Sequence, residues 1–431
     1  MKLRQNKLVP LVLKETPGQP SSGSWSGWNS QEFERWIDRL DSVREKWLQK
    51  QPQCGQIHDC LTLPENLLLE YSQKRNSSRI SQVFAQANLF QSNVDRVILI
   101  GTSDSHLILQ TFLKACCDPY WNELTRGERG SKPRIYLAGD SLDNDGTQGL
   151  LHLLCRDRPA NRNEPFGWGV ISLKSCDAQD HQSLAEKHFQ HQLQRTGNEA
   201  FFYRSLPNTS TDPTDLPPIP SALLAFSPMC LLPAAILGIN IMELLAGACA
   251  TSNLFASTSG RLNPILRWVA WNLTTENRTV ALWNQSLVAG ARWICQLTNR
   301  LNSNRSNATD SWHFLQPLQE PIPDSALECC NHFWVEDHRF DDLHRQPDPI
   351  DKIIWDPKSE RPRRLHPDAP KSPSYNEIAK TSFEQTLQKQ TDQGGLGLTL
   401  QFPDLGELSL GQWMQWMIIA SILEADLAQD T

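Results

Sequence analysis

Arg96-Val-Ile-Leu-Ile-Gly101, the turn Thr102-Ser103-Asp104-Ser105 and the segment His106–Cys117 together decide the fold. A short apolar run closed by glycine reads as a strand buried on both faces. The small polar residues after it read as a turn, and His106–Cys117 reads as a helix. The same grammar recurs downstream. Arg134–Gly139 (RIYLAG) is a second strand, followed by a turn holding Asp143 and Asp145 and by a helix through Leu150. Trp168–Leu173 is a third, followed by a helix rich in Gln and His from Asp180. Strand alternating with helix predicts an α/β fold with a doubly wound parallel sheet.

Upstream, residues 1–30 are polar, with Pro17, Pro20 and a Ser/Gly run, and read as a flexible lead. A helix is predicted from near Asn29, where Phe33, Trp36, Ile37, Leu40, Val43 and Trp47 form one apolar stripe. Asn29 and Glu32 resemble a capping pair. Downstream, Leu206–Pro220 carries five prolines and reads as a domain boundary, after which the pattern restarts. Met229–Ala250 and Asn263–Leu273 read as helices, Arg278–Trp283 as a strand, and Ser286–Leu301 as a helix. Asn302–Ser325 reads as a polar connection and His332–Glu336 as a strand. A polar, proline-rich stretch runs from about Asp341 to Ser374. Strand Leu396–Phe402 and helix Leu405–Ala428 end the pattern. A chain of 431 residues exceeds one compact core. The expected domains are 31–220 and 221–431.

Composition excludes several classes. Hydrophobic residues make up 39% and charged residues 21%, the balance of a globular chain, and the net charge is −7. The basic residues are interleaved with acids, so no nucleic-acid backbone reader is expected. Arg361, Arg363 and Arg364 sit among prolines and read as a solvated loop. The apolar stretch Met229–Ala250 contains Pro233, Asn240 and Glu243, each costly in hydrocarbon, and reads as a buried helix with no membrane span. No signal peptide is read in Met1–Pro10. The 11 cysteines include the vicinal pairs Cys116-Cys117 and Cys329-Cys330 but no C-x-x-C, so free thiols in a reducing cytoplasm are expected, and no metal.

The segment after the first helix is the most specific. Cys116–Glu123 reads CCDPYWNE, Arg126–Gly130 reads RGERG, Pro133–Gly139 reads PRIYLAG, and DSLDNDGTQGLL follows. This run resembles the bacterial phosphoglucose isomerases, with their H-P-Y-x-N-E-L-x-R-x-E-R-G and P-R-I-Y-F-x-G-N-N-x-D. The likeness is tightest over Val94–Leu154. It continues through Trp168–Ser175, Ser227–Gly247, Asn263–Pro264, Trp283–Leu297 and Leu410–Leu427, spanning roughly residues 60 to 427. The resemblance implies two sugar isomerase (SIS)-type domains, each a doubly wound parallel sheet with flanking helices. It also implies conversion of glucose 6-phosphate to fructose 6-phosphate, a step of glycolysis and gluconeogenesis, with no cofactor.

Each role that the resemblance implies can be placed on this chain. The family's first phosphate loop, G-I-G-G-S, reads G-T-S-D-S over Gly101–Ser105; Ser105 keeps the hydroxyl and Asp104 replaces a glycine. Its second, S-K-S-G-G-T-x-E-T, aligns with Leu173–His181, so Lys174 and Ser175 survive while Leu173 and Ala178 lack hydroxyls. Ser105, Lys174 and Ser175 are therefore the expected phosphate ligands. The arginine that steadies the enediolate-like intermediate falls on Ala222. Loss of such a preorganised charge costs about a hundredfold to a thousandfold in rate. The glutamate base falls on Arg300, whose guanidinium cannot accept a proton, and a positioned base contributes roughly 10²–10⁴ in rate. His313, in D-S-W-H-F-L-Q-P-L-Q-E, aligns with the ring-opening histidine. The family's tail, with its D-Q-x-G-V-E and lysine, has no counterpart before Thr431.

Four readings follow. The leading one is a non-catalytic member of the family. The second is an isomerase with relocated groups, Glu320, Glu328 or Glu336 acting as base. The third is a partner subunit. In the resembled family dimers share sites, so a homodimer, or a heterodimer in which His313 serves an isomerase paralogue, is expected. The fourth is a sensor of sugar phosphate through Lys174, Ser175 and Ser105.

Overall fold

The computed structural model describes residues 11–15, 30–49, 57–155, 167–177, 180–206, 219–275, 278–301, 312–337 and 374–429. The chain opens with β1 (Val12–Glu15) and three helices, α1 (Ser30–Gln49), α2 (Asp59–Lys74) and α3 (Arg79–Asn93). Then come β2 (Val94–Ile100), α4 (Ser103–Cys116), β3 (Arg134–Ala138), α5 (Asn144–Cys155), β4 (Gly167–Leu173), α6 (Asp180–Thr196) and β5 (Phe202–Ser205). Three helices follow: α7 (Pro228–Leu237), α8 (Ile241–Ser257) and α9 (Pro264–Thr274). The last part holds β6 (Arg278–Leu282), α10 (Val288–Leu301), β7 (Trp312–Leu315), α11 (Asp324–Leu327), β8 (Cys330–Val335), α12 (Tyr375–Asp392), β9 (Leu398–Phe402) and α13 (Glu407–Gln429).

The strands form two sheets, ordered β3-β2-β4-β5 and β1-β9-β8-β6-β7. The first is wholly parallel. The second is parallel except at β1, which pairs antiparallel with β9, Leu13 opposite Leu400. The α/β class read from the sequence is what the chain adopts. Val12–Glu15 departs from the reading of residues 1–30 as a lead, because its backbone completes the β9 edge. Five prolines at the expected boundary, Arg361, Arg363, Arg364 and the stretch 341–373 lie, apart from Pro220, outside the described residues.

Strands β2 and β4 are buried along nearly their whole length, as their apolar runs require. Helix α13 is buried along nearly its whole length and lies inside the core, with Trp413 and Trp416 among the largest fully buried side chains and Gln412, Gln415 and Glu424 buried beside them. No described helix is long and apolar enough to cross a membrane. The stretch Met229–Ala250 is two helices rather than one. Gly238, at φ +86°, stops α7: its amide donates to the Ala235 carbonyl and the Ile239 amide to the Ala234 carbonyl. Asn240 then caps α8, accepting from the Met242 and Glu243 amides.

The R-G-E-R-G and P-R-I segments have a structural use. Arg126, the buried Arg129 and Arg134 converge on Asp95 at the start of β2, Arg129 Nη2 lying 2.6 Å from Oδ1. Their remaining N–H groups reach carbonyls of Gln91, Val94, Asn122, Leu124 and Lys132. This pins the long α4–β3 connection below the sheet, at the end opposite the crevice described next.

Candidate functional site

The chain leaves β2 toward β3 on one side and returns to β4 on the other. Such a switch point opens a crevice at the C-terminal strand ends, where open α/β sheets hold ligands. Two loops line it, Gly101–Ser105 after β2 and Lys174–Asp177 after β4.

Thr102 caps α4, its hydroxyl accepting from the Ser105 amide at 3.2 Å. Ser105 Oγ donates to the Thr102 carbonyl at 2.8 Å, so this buried hydroxyl serves its own turn. Asp104, in the first turn of α4, is fully buried. Its Oδ2 lies 2.9 Å from Ser221 Oγ and accepts from Arg300 Nε at 3.3 Å. Its Oδ1 has no hydrogen-bond partner among the described residues. Burial raises the Asp104 pKa and the Asp177 charge adds to this; Ser221 and Arg300 oppose it without reversing it.

On the β4 side, Ser175 Oγ donates to Asp177 Oδ1 at 2.6 Å. The Ser221 amide donates to Asp177 Oδ2 at 3.2 Å, and Ser221 Oγ lies 2.8 Å from the same oxygen. Ser221 opens a single 3₁₀ turn, Ser221–Leu223, whose Ala222 carbonyl accepts from Trp293 Nε1 on α10 at 2.8 Å. Helix α10 also reaches the first loop, Gln296 Nε2 donating to Ser103 Oγ at 3.0 Å. Ser105, Ser175, Ala222 and Arg300 thus converge from four parts of the chain.

Lys174 is turned away. Its Nζ lies 3.0 Å from Glu186 Oε2 on α6, and Arg204 of β5 pairs with the other Glu186 oxygen. Ser172 Oγ donates to Glu186 as well, at 2.7 Å. Burial alone would raise the Glu186 pKa, but hydrogen bonds from Arg204, Ser172 and Lys174 outweigh it and the carboxyl is held below its ordinary range. His313 is exposed on β7, the edge strand beside β6, and among the described residues makes no hydrogen bond to the cluster. The connection in which sequence reading placed it is a strand at Trp312–Leu315, because Trp312 buries against the apolar core and stacks on Trp268.

Sequence reading missed Asp177, Ser221, Glu186 and Arg204 as site residues. It also missed His106, buried with Nδ1 at 3.4 Å from Asp140 Oδ2 across the next turn. One signal was present for Asp177. Like Asp104, it stands at a glycine of the aligned loop pattern, and Arg300 is a cation gained where an acid was expected. Two gained acids and one gained base are a charge-complementary set.

Chemically, the arrangement is closed on itself. Two carboxylates share the single hydroxyl proton of Ser221. Arg300 completes an ion pair instead of accepting a proton.

The architecture defines a class, an α/β fold of two largely parallel sheets that solved structures share. It is shared with a glucose-6-phosphate isomerase from Chlamydia trachomatis, at TM-score 0.62 and 11% identity over 94% of this chain and 87% of that one. It is shared also with a hypothetical protein from Thermus thermophilus, at TM-score 0.68 and 15% identity over 92% and 91%. In sequence, the chain is similar to the glucose-6-phosphate isomerase of Caldanaerobacter subterraneus subsp. tengcongensis, 23% identical over 352 residues, 78% of this chain and 75% of that protein. No family model matches. The solved structures share the fold, and the likeness in sequence is a distant one to a glucose-6-phosphate isomerase.

Proposed function

We propose that this protein is a non-catalytic relative of glucose-6-phosphate isomerase. One observation carries the reading: Arg300, at the position of the expected base, is ion-paired with Asp104, at the position of a phosphate-loop glycine. The isomerisation moves a proton between adjacent carbons, and a guanidinium cannot be its base. Ala222, where an arginine was expected, contributes only a backbone carbonyl to Trp293. Glu320, Glu328 and Glu336 are solvent-exposed, and among the described residues none bonds to the cluster, which counts against relocated catalysis. A coupled assay of glucose 6-phosphate conversion by the purified chain tests the reading. The expected result is no turnover above background, and turnover near that of an ordinary isomerase overturns it.

A second reading, a partner subunit, is favoured by the exposure of His313 on an edge strand. That placement suits a side chain offered across an interface to the crevice of an isomerase paralogue or of a second copy. Co-purification with an authentic isomerase, and loss of any enhancement in His313→Ala, test it.

A further inference from the structure

The crevice between β2 and β4 is built as an anion cradle. Three donors meet one carboxylate there: Ser175 Oγ at 2.6 Å from Asp177 Oδ1, and Ser221 Oγ and N at 2.8 and 3.2 Å from Oδ2. Hydroxyls and a backbone amide converging on one anionic group are what recognition of a small oxyanion requires. Here the chain supplies the oxyanion itself.

We propose that the Asp177 carboxylate is a built-in occupant of this cradle, and that it excludes phosphorylated ligands while it stays there. The inference rests on the reading of the β2/β4 crevice as the ligand site made under the proposed function. Asp177 takes up donors that a phosphate would use. It also carries the same charge, and like charges about 4 Å apart repel by roughly 1–4 kcal/mol, or about fivefold to a thousandfold in affinity. Asp104 strengthens the exclusion, because its Oδ2 lies 2.9 Å from the same Ser221 hydroxyl. The nearby cations do not offset this. Lys174 is held by Glu186 at 3.0 Å, and Arg300 by Asp104.

Calorimetric titration with inorganic phosphate and with glucose 6-phosphate tests the proposal, using the full chain. The wild type is expected to give no binding at millimolar ligand. Asp177→Ser frees the Ser175 hydroxyl and the Ser221 amide and removes the charge, while the Ser221 hydroxyl keeps Asp104 as an acceptor; it is expected to bind both ligands at least about tenfold more tightly. Asp177→Asn keeps the shape and loses the charge, so it gains less than Asp177→Ser; being isosteric, it carries the test should the serine variant lose its thermal transition. Adding Ser175→Ala to Asp177→Ser is expected to abolish most of the gain, placing the ligand in the cradle. A wild type that binds phosphate as tightly as either Asp177 variant overturns the proposal. So does a gain indifferent to Ser175→Ala. Turnover by the wild type would sink the proposed function. Absence of turnover, with no gain in either Asp177 variant, sinks this inference alone.

Discussion

Asp104 Oδ2 and Arg300 Nε lie 3.3 Å apart, although 196 positions separate them along the chain. One begins the helix after the first strand of its sheet, and the other ends the helix that follows β6 of the second sheet. Each is chemically odd alone: a buried carboxylate at a helix start, and an arginine where a proton acceptor was expected. Together they account for each other.

Reinstating the expected acid alone is therefore unfavourable. Arg300→Glu leaves buried Asp104 unpaired and brings a third carboxylate toward Asp104 and Asp177. Breaking a buried pair can cost 3–5 kcal/mol, but Arg300 is half exposed, so solvent screening reduces this to about 1–2 kcal/mol. The urea midpoint should fall accordingly, and isomerase activity should not appear. Pairing Arg300→Glu with Asp104→Asn should recover most of the loss. Additive losses in that double-mutant cycle would show that the two residues act independently.

Protonation of Asp104 changes stability with a definite sign. Burial, the leading cause, raises its pKa above the ordinary 3.8 of an aspartate. A raised carboxyl contributes stability that is complete below about 3.8 and is lost as the pH rises through the folded-state value. At neutral pH the ionised group is a burden, and Asp104→Asn, which mimics the protonated form, should melt higher than the wild type. The difference should shrink as the pH falls. A variant less stable than the wild type at neutral pH would mean that the Arg300 pair outweighs the burial.

His332 behaves in the opposite sense. It is fully buried, donating from Nε2 to Gln390 Oε1 at 3.0 Å and accepting at Nδ1 from Trp283 Nε1 at 3.2 Å. Burial lowers its pKa from 6.5 to about 4, against the opposing Gln390 bond. The stability it contributes is complete above about 6.5 and is lost as the pH falls from there through about 4. At about 1.4 kcal/mol for each tenfold change in proton affinity, that is roughly 3 kcal/mol. His332→Gln cannot titrate, so its urea midpoint should fall less steeply over this range. Equal slopes for the two proteins would remove His332 as the cause.

The sequence made legible what depended on apolar runs. β2, β3, β4, β6 and β8 are short apolar segments, and each lies within a residue or two of its expected bounds. Val12–Glu15 escaped notice because an edge strand buries little and reads as polar, its residues being mostly exposed. Trp312–Leu315 hid in a polar connection for the same reason, with only Trp312 buried. Helix α12 buries just Ala379, Phe383 and Gln390, too few for a visible stripe. The stop at Gly238 and cap at Asn240 were written in the chain, but continuous hydrophobicity on both sides concealed them. At the site, Ser105, Ser175, Ala222 and Arg300 converge as position along the fold required. The capture of Lys174 by Glu186 did not show, since a glutamate on a polar helix has no mark of the partner it will meet.

The glycine pair Gly247 and Gly411 supplies the sharpest packing prediction. Gly247 lies on α8 and Gly411 on α13, each within a segment that shares the isomerase pattern. A Cβ at Gly411 would stand 2.0 Å from the Leu244 carbonyl oxygen, and one at Gly247 would stand 2.0 Å from that of Leu408. Both obstacles are backbone of the facing helix, so no side-chain rotation relieves them and the helices must separate. In an isolated helix, glycine to alanine is stabilising by roughly 0.5–1 kcal/mol, because it restricts the unfolded chain. Here overpacking opposes that gain with a cost of about 1–3 kcal/mol or more. Gly411→Ala and Gly247→Ala should each lower the urea midpoint despite the better helix former. The double variant should lose less than the two losses combined, since helices already pushed apart by one methyl admit the second. If either single variant is as stable as the wild type, the close crossing of α8 and α13 is not a determinant of this core.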